Sequence, residues 1–161
     1  MARPNPISRV MSSSLPSFDY QRRRLFRPGI EDVKYAYRII NRYVFDNKLR
    51  RPPIQLGITR GYWGMCIGNH DKTTPRSFCE IRLSDKYFCA QWFMNTLAHE
   101  MVHQYQWDID GEDREQEGLD PLMSHGPSFF AWREIMDYYG LNLKTAHGQA
   151  RWFRYQDFYR C

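Results

Sequence analysis

His99-Glu100-Met101-Val102-His103 is the stretch that decides how this chain is read. It follows Phe88 to Ala98, a run without Pro or Gly. Trp92, Phe93, Leu97, Met101 and Tyr105 recur at spacings of three and four, which predicts a mostly buried helix. Residues four apart on a helix share a face, about 6 Å along the axis. Two imidazoles so placed can grip one metal ion, and Glu100, one step round, can reach a water that the ion polarises. The plainer reading is a core helix whose histidines are merely hydrogen-bonded. That reading buries two histidines and a carboxylate on one helix without a partner, which is costly.

Upstream, Pro28-Gly29 punctuates the chain, and Glu31 and Asp32 suit the first turn of a helix, where acids complement the dipole. Val33, Ala36, Tyr37, Ile40, Tyr43 and Val44 keep helical spacing to about Asp46. Three short alternating segments follow: Ile54, Leu56 and Ile58; Trp63, Met65 and Ile67; Cys79, Ile81 and Leu83. Turn residues such as Arg60-Gly61 and Gly68-Asn69-His70-Asp71 separate them, so the expectation is a small three-stranded antiparallel sheet. Beyond the histidine motif, Asp108 to Asp120 holds seven acids against Arg114. This stretch reads either as a solvated loop or as a lid over one side of a cleft. Gly126-Pro127 then opens a second amphipathic helix carrying Phe129, Trp132, Ile135, Met136 and Tyr139, with Gly140 past its end.

A chain of 161 residues makes one domain with one real core. No apolar run approaches the length of a membrane span, and the N-terminus lacks a signal-peptide core, so membrane and secreted classes are not expected. Four cysteines form no C-x-x-C pair and read as reduced thiols; Cys66 and Cys79, on neighbouring strands, make a disulfide feasible but not favoured. The expected setting is cytoplasmic, nucleoid or nuclear, with virion association also open.

The formal net charge is +5, and its distribution says more than its sum. Residues 1–29 are rich in Ser and Pro, lack periodicity and carry six arginines against Asp19, which reads as a flexible Arg-rich arm. Residues 30–146 form the folded domain, and 147–161 a tail in which Arg151, Arg154 and Arg160 alternate with aromatic residues. Arg22, Arg23, Arg24, Arg27, Arg151, Trp152 and Arg154 are the candidates for nucleic-acid contact, since cations track phosphates and aromatic rings stack on bases. A solubilising arm and a C-terminal helix packed on the core are the plainer alternatives.

A catalytic zinc takes three protein ligands and keeps one position open. The metzincin pattern requires Gly and His where this chain has Gln106 and Ile109, so that class is excluded. The third ligand is then His125, in His125-Gly126-Pro127-Ser128-Phe129, or a carboxylate such as Glu134 or one of the loop acids. His125 is the better candidate, because Gly126 admits a close backbone and Pro127 fixes the turn.

Four landmarks in order resemble the SprT-like family, which includes the Spartan proteases. They are Tyr43-Val44-Phe45-Asp46-Asn47-Lys48-Leu49; Trp63-Gly64-Met65-Cys66; Cys79-Glu80-Ile81-Arg82-Leu83-Ser84; and His99 to His103 followed by His125-Gly126-Pro127-x-Phe129. The resemblance implies an α+β, zincin-like minimal metalloprotease: an N-terminal helix, the small sheet, the H-E-x-x-H helix and a second helix after the third ligand. It implies one Zn2+ per chain on His99, His103 and His125, Glu100 as general base, and protein substrates bound to DNA. A Cys-rich zinc ribbon and long interaction tails, found in relatives, have no counterpart in these residues, so the family's DNA-binding parts do not carry over whole. The rival reading is a metal-stabilised structural or nucleic-acid-binding component of a nucleoprotein assembly, such as a virus particle, without proteolytic activity.

Overall fold

A computed structural model describes residues 6–7, 25–68, 79–111 and 125–143. Among them the order is α1 (Ile30–Tyr43), β1 (Ile54–Gly57), β2 (Gly64–Gly68), β3 (Cys79–Ser84), α2 (Ala90–Tyr105), α3 (Pro127–Phe130) and α4 (Arg133–Tyr138). A π-helical turn, Gln106–Asp110, continues α2 without a break. The architecture is α+β, with helices packed on a three-stranded sheet, as the sequence predicts.

α1 begins where Pro28-Gly29 places it. The Gly29 N–H donates to the Asp32 carboxylate at 2.8 Å, which satisfies one of the free donors at the helix start. It ends in a tight turn with Asp46 and Asn47 left-handed at φ 54° and 58°. Asn41 clamps that turn: its side chain donates to the Leu49 carbonyl at 2.8 Å and accepts from the Leu49 N–H at 3.1 Å. Val44, Phe45 and Leu49 thereby reach the core, which accounts for the first landmark.

The sheet differs from expectation in one pairing. Its order is β1-β3-β2; β2 and β3 run antiparallel, but β1 and β3 run parallel in the register Ile54↔Ile81 and Leu56↔Leu83. The chain leaves one strand position empty after β1, and β3 returns to fill it. Alternation within a segment reports burial on one face and carries no information about strand order.

A second difference lies in β2. Trp63, Met65 and Ile67 alternate in sequence, yet Met65 is exposed, and the face turned to α2 is Gly64, Cys66 and Gly68. The physical reason is space. A Cβ on Gly64 would lie 2.7 Å from Thr96 Cγ2, and one on Gly68 would lie 2.7 Å from the Trp107 ring. Small residues face inward so that the helix can approach the strand, and the large side chain turns outward. β3 follows the simple rule, with Cys79, Ile81 and Leu83 buried and Arg82 exposed.

α2 is buried on most of its circumference, including Trp92, Phe93, Leu97 and Met101. An aromatic cluster of Trp63, Tyr87, Phe88, Trp92 and Phe93 packs at its N-terminal end, and the Tyr87 hydroxyl donates to the Trp63 carbonyl at 2.8 Å. α1 is tied to α2 by the buried Tyr37 hydroxyl, which donates to Gln104 Oε1 at 2.7 Å.

The single helix expected from Pro127 to Gly140 is divided by a turn at Ala131-Trp132. Its end is as read: Gly140 is left-handed at φ 77°, and the Leu141 N–H reaches back to the Met136 carbonyl at 2.8 Å. Parts of the stretch read as an arm touch the folded body. Ile7 is fully buried, and Phe26 forms a two-way backbone bridge with Tyr87. Cys66 and Cys79 are free thiols while Cys89 is disulfide-bonded, so the reduced-thiol expectation holds for only two of these three. Among the described residues no helix is long and apolar enough to cross a membrane.

Candidate metal centre

The i, i+4 spacing on α2 puts the His99 and His103 rings side by side, with centroids 4.9 Å apart. His125 arrives from the turn that precedes α3. The three Nε2 atoms form a nearly equilateral triangle, with sides of 3.2 Å (His99 to His103), 3.2 Å (His103 to His125) and 3.1 Å (His99 to His125). A tetrahedral ion with metal–nitrogen bonds of about 2.0–2.1 Å spaces its nitrogens by about 3.3–3.4 Å, so the triangle fits. No other group of three or more candidate ligands gathers among the described residues. Glu134, the alternative third ligand, is exposed and outside the cluster.

Burial favours the neutral form of His103 and His125, which is the form that binds a cation. Burial pushes His103 down to about 4; the hydrogen bond its ring gives to Gln106 opposes this, and the neighbouring His125 adds to it. Burial also lowers His125. His103 Nδ1 lies 2.7 Å from Gln106 Oε1, so the ring donates its N–H there and turns the Nε2 lone pair toward the other two rings. Phe129, fully buried, touches all three rings, with centroid distances of 4.8, 5.0 and 4.7 Å to His99, His103 and His125. It is the floor on which the triangle stands.

Glu100 is only 4 % exposed and lies where α2 meets the edge strand β2. Burial pushes its carboxyl up to about 8, and a hydrogen bond donated by the Cys66 backbone N–H pulls the other way. The close approach depends on Gly64, whose added Cβ would sit 3.0 Å from both Glu100 Cγ and Oε1. Nearby, the Cys79 thiol and burial together hold the Cys66 thiol far above its usual range, so it is not a reactive thiolate.

The structure thus brings together His99, Glu100, His103 and His125. Arg27 is exposed ahead of α1; Arg22, Arg23, Arg24, Arg151, Trp152 and Arg154 lie outside the described residues. Most of the acidic stretch also lies outside them. Asp108 is not a loop residue: it sits in the π-helical turn and accepts a hydrogen bond from Gln104 Nε2 at 3.0 Å.

Two contributors had no reading of their own in the sequence. Gln106 entered only as a mismatch to another motif, although its spacing of three from His103 on a helix was a usable signal. Gly64 stood inside a landmark without a role.

A helix-borne histidine pair closed by a third histidine, beside a buried glutamate and a small sheet, defines a zincin-like metalloprotease fold with a site that can hold a metal ion. The chain belongs to the SprT-like family, whose model matches residues 33–147, well over half its length. No curated protein and no solved structure matched it.

Proposed function

We propose that this protein is a zinc-dependent endopeptidase that cuts proteins associated with DNA. One observation carries the reading: three imidazoles converge at 3.1–3.2 Å while a carboxylate is buried one residue from the first of them. A site that served folding alone has no use for that carboxylate, whose burial is costly. The structural reading of the metal site is therefore the weaker one.

Imidazole ligands suit zinc, which when held there would polarise a water and a peptide carbonyl and favour the ionised form of the neighbouring carboxyl. Glu100 then takes the proton from the attacking water. It holds the proton at a carboxylate oxygen and hands it to the departing amine nitrogen. The Cys66 N–H orients the carboxylate throughout. β2 is an outer strand of the sheet and packs on α2 beside Glu100, so an extended substrate can add to the sheet edge there.

DNA as the setting is supported by the charge pattern, with six arginines in residues 1–29, and by the family. A compartment that holds DNA, whether cytoplasm, nucleoid, nucleus or virion, follows from that reading. The test is cleavage of an unfolded protein and of a DNA-bound protein, with and without a zinc chelator. Cleavage is expected only without chelator, and cleavage that persists after complete metal removal would contradict the proposal.

A further inference from the structure

We infer that Gln106 is a positioning residue. Its side-chain amide sets which nitrogen of His103 carries the proton, and through Ser128 it ties the third-ligand turn to α2. This rests on the metal-site reading above and goes beyond it, because it assigns a role to residues that bear no ligand atom.

Gln106 is fully buried, and its amide bridges two elements. Oε1 meets His103 Nδ1 at 2.7 Å, and Nε2 donates to Ser128 Oγ at 2.8 Å. A neutral imidazole has one N–H. With the amide oxygen toward the ring, that N–H is on Nδ1, and Nε2 presents a lone pair to the other two rings. Were the amide turned over, its NH2 would face Nδ1 and require the opposite tautomer. The N–H would then point at two nitrogens 3.2 Å away, where a cation must sit. The amide orientation and the ligand-competent form of His103 are one choice.

The second half of the bridge reaches the other arm of the site. Ser128 is three residues after His125, in the first turn of α3. The hydrogen bond from Gln106 therefore spans the 22 positions that separate the helix from the turn of the third ligand. The backbone supports this placement: Gln106 opens the π-helical turn and accepts the wide bond from the Gly111 N–H at 3.1 Å. Single π-turns of this kind recur at functional sites.

The test uses the full chain in four forms: wild type, Gln106→Leu, Gln106→Glu and Ser128→Ala. Two quantities are read: Zn2+ affinity by competition with a chromogenic chelator, and the His103 tautomer in the metal-free protein by long-range proton–nitrogen NMR. Wild type is expected to show Nδ1–H. Gln106→Leu should lose about 10- to 100-fold in Zn2+ affinity and show mixed tautomers. Gln106→Glu still accepts from Nδ1–H and should stay within about threefold of wild type, while Ser128→Ala should lose several-fold with the tautomer kept. The inference fails if Gln106→Leu binds Zn2+ within twofold of wild type with Nδ1–H intact. If Gln106→Leu does not fold, a Gln106→Glu variant that loses tenfold or more overturns it, and retained affinity there together with loss in Ser128→Ala upholds it. A wild-type chain that binds no Zn2+ would instead sink the metal-site reading itself.

Discussion

Glu100 and His103, three residues apart on one helix, are displaced in opposite directions by the same cause. Burial disfavours charge, so the acid is pushed up from its ordinary 4.5 to about 8 and the base down from 6.5 to about 4. The metal-free protein should show both signs. Between about 4.5 and 8 the folded state holds a Glu100 proton that the unfolded state releases, so stability falls as pH rises through that window. Between about 4 and 6.5 the unfolded state holds a His103 proton that the fold excludes, so stability falls as pH drops. The two oppose each other below 6.5, and above it Glu100 acts alone. From pH 6.5 to 8 the metal-free wild type is expected to lose about 2 kcal/mol, at about 1.4 kcal/mol per pH unit. Glu100→Gln should show none of this slope. Urea unfolding at the two pH values measures it, and equal slopes in the two proteins would refute the assignment.

The contact between α2 and β2 governs the next scale. Gly64 lets the strand lie against Thr96 and Glu100, and no side chain fits between them. Gly64→Ala is therefore expected to cost about 1–3 kcal/mol by overpacking and to depress turnover by moving Glu100. Met65→Ala, on the exposed side of the same strand, should change stability by less than about 0.5 kcal/mol. Thermal melts and turnover of the two variants check this; equal effects would mean that the strand faces are assigned wrongly. The same contact shows what the sequence could reveal. The periodicity of Trp92, Phe93, Leu97 and Met101 made α2 legible, because a buried helix must repeat its apolar residues at that period. The H-E-x-x-H spacing and the Gly126-Pro127 turn likewise pointed to the three histidines that converge. The inward face of β2 was not legible, since there small size rather than hydrophobicity is selected. Nor was the parallel pairing of β1 with β3, because strand order depends on connections and not on any one segment. Gln106 was hidden for another reason: a residue that acts on a ligand through its far nitrogen has no motif of its own.

Over the whole molecule, the arginine-rich stretch and the candidate metal centre occupy different parts of the sequence. The histidine triangle is built by residues 99–125, while residues 1–29 carry six arginines against Asp19. Ile7, within that stretch, is buried, so truncating the arm would remove part of the core as well as charge. Substitution is the cleaner probe. Changing Arg22, Arg23, Arg24 and Arg27 together to Ser is expected to lower the slope of log affinity for duplex DNA against log salt by about 3–4 and leave the fold intact. An unchanged slope would remove the arm from the DNA reading without touching the protease reading. Proton transfer by Glu100 beside a bound zinc is tested most directly by zinc content and cleavage measured on the same sample of Glu100→Gln. About one zinc per chain is expected, as in wild type, with cleavage of a DNA-bound protein lowered at least about 100-fold. Cleavage at the wild-type rate by the zinc-loaded variant would contradict it.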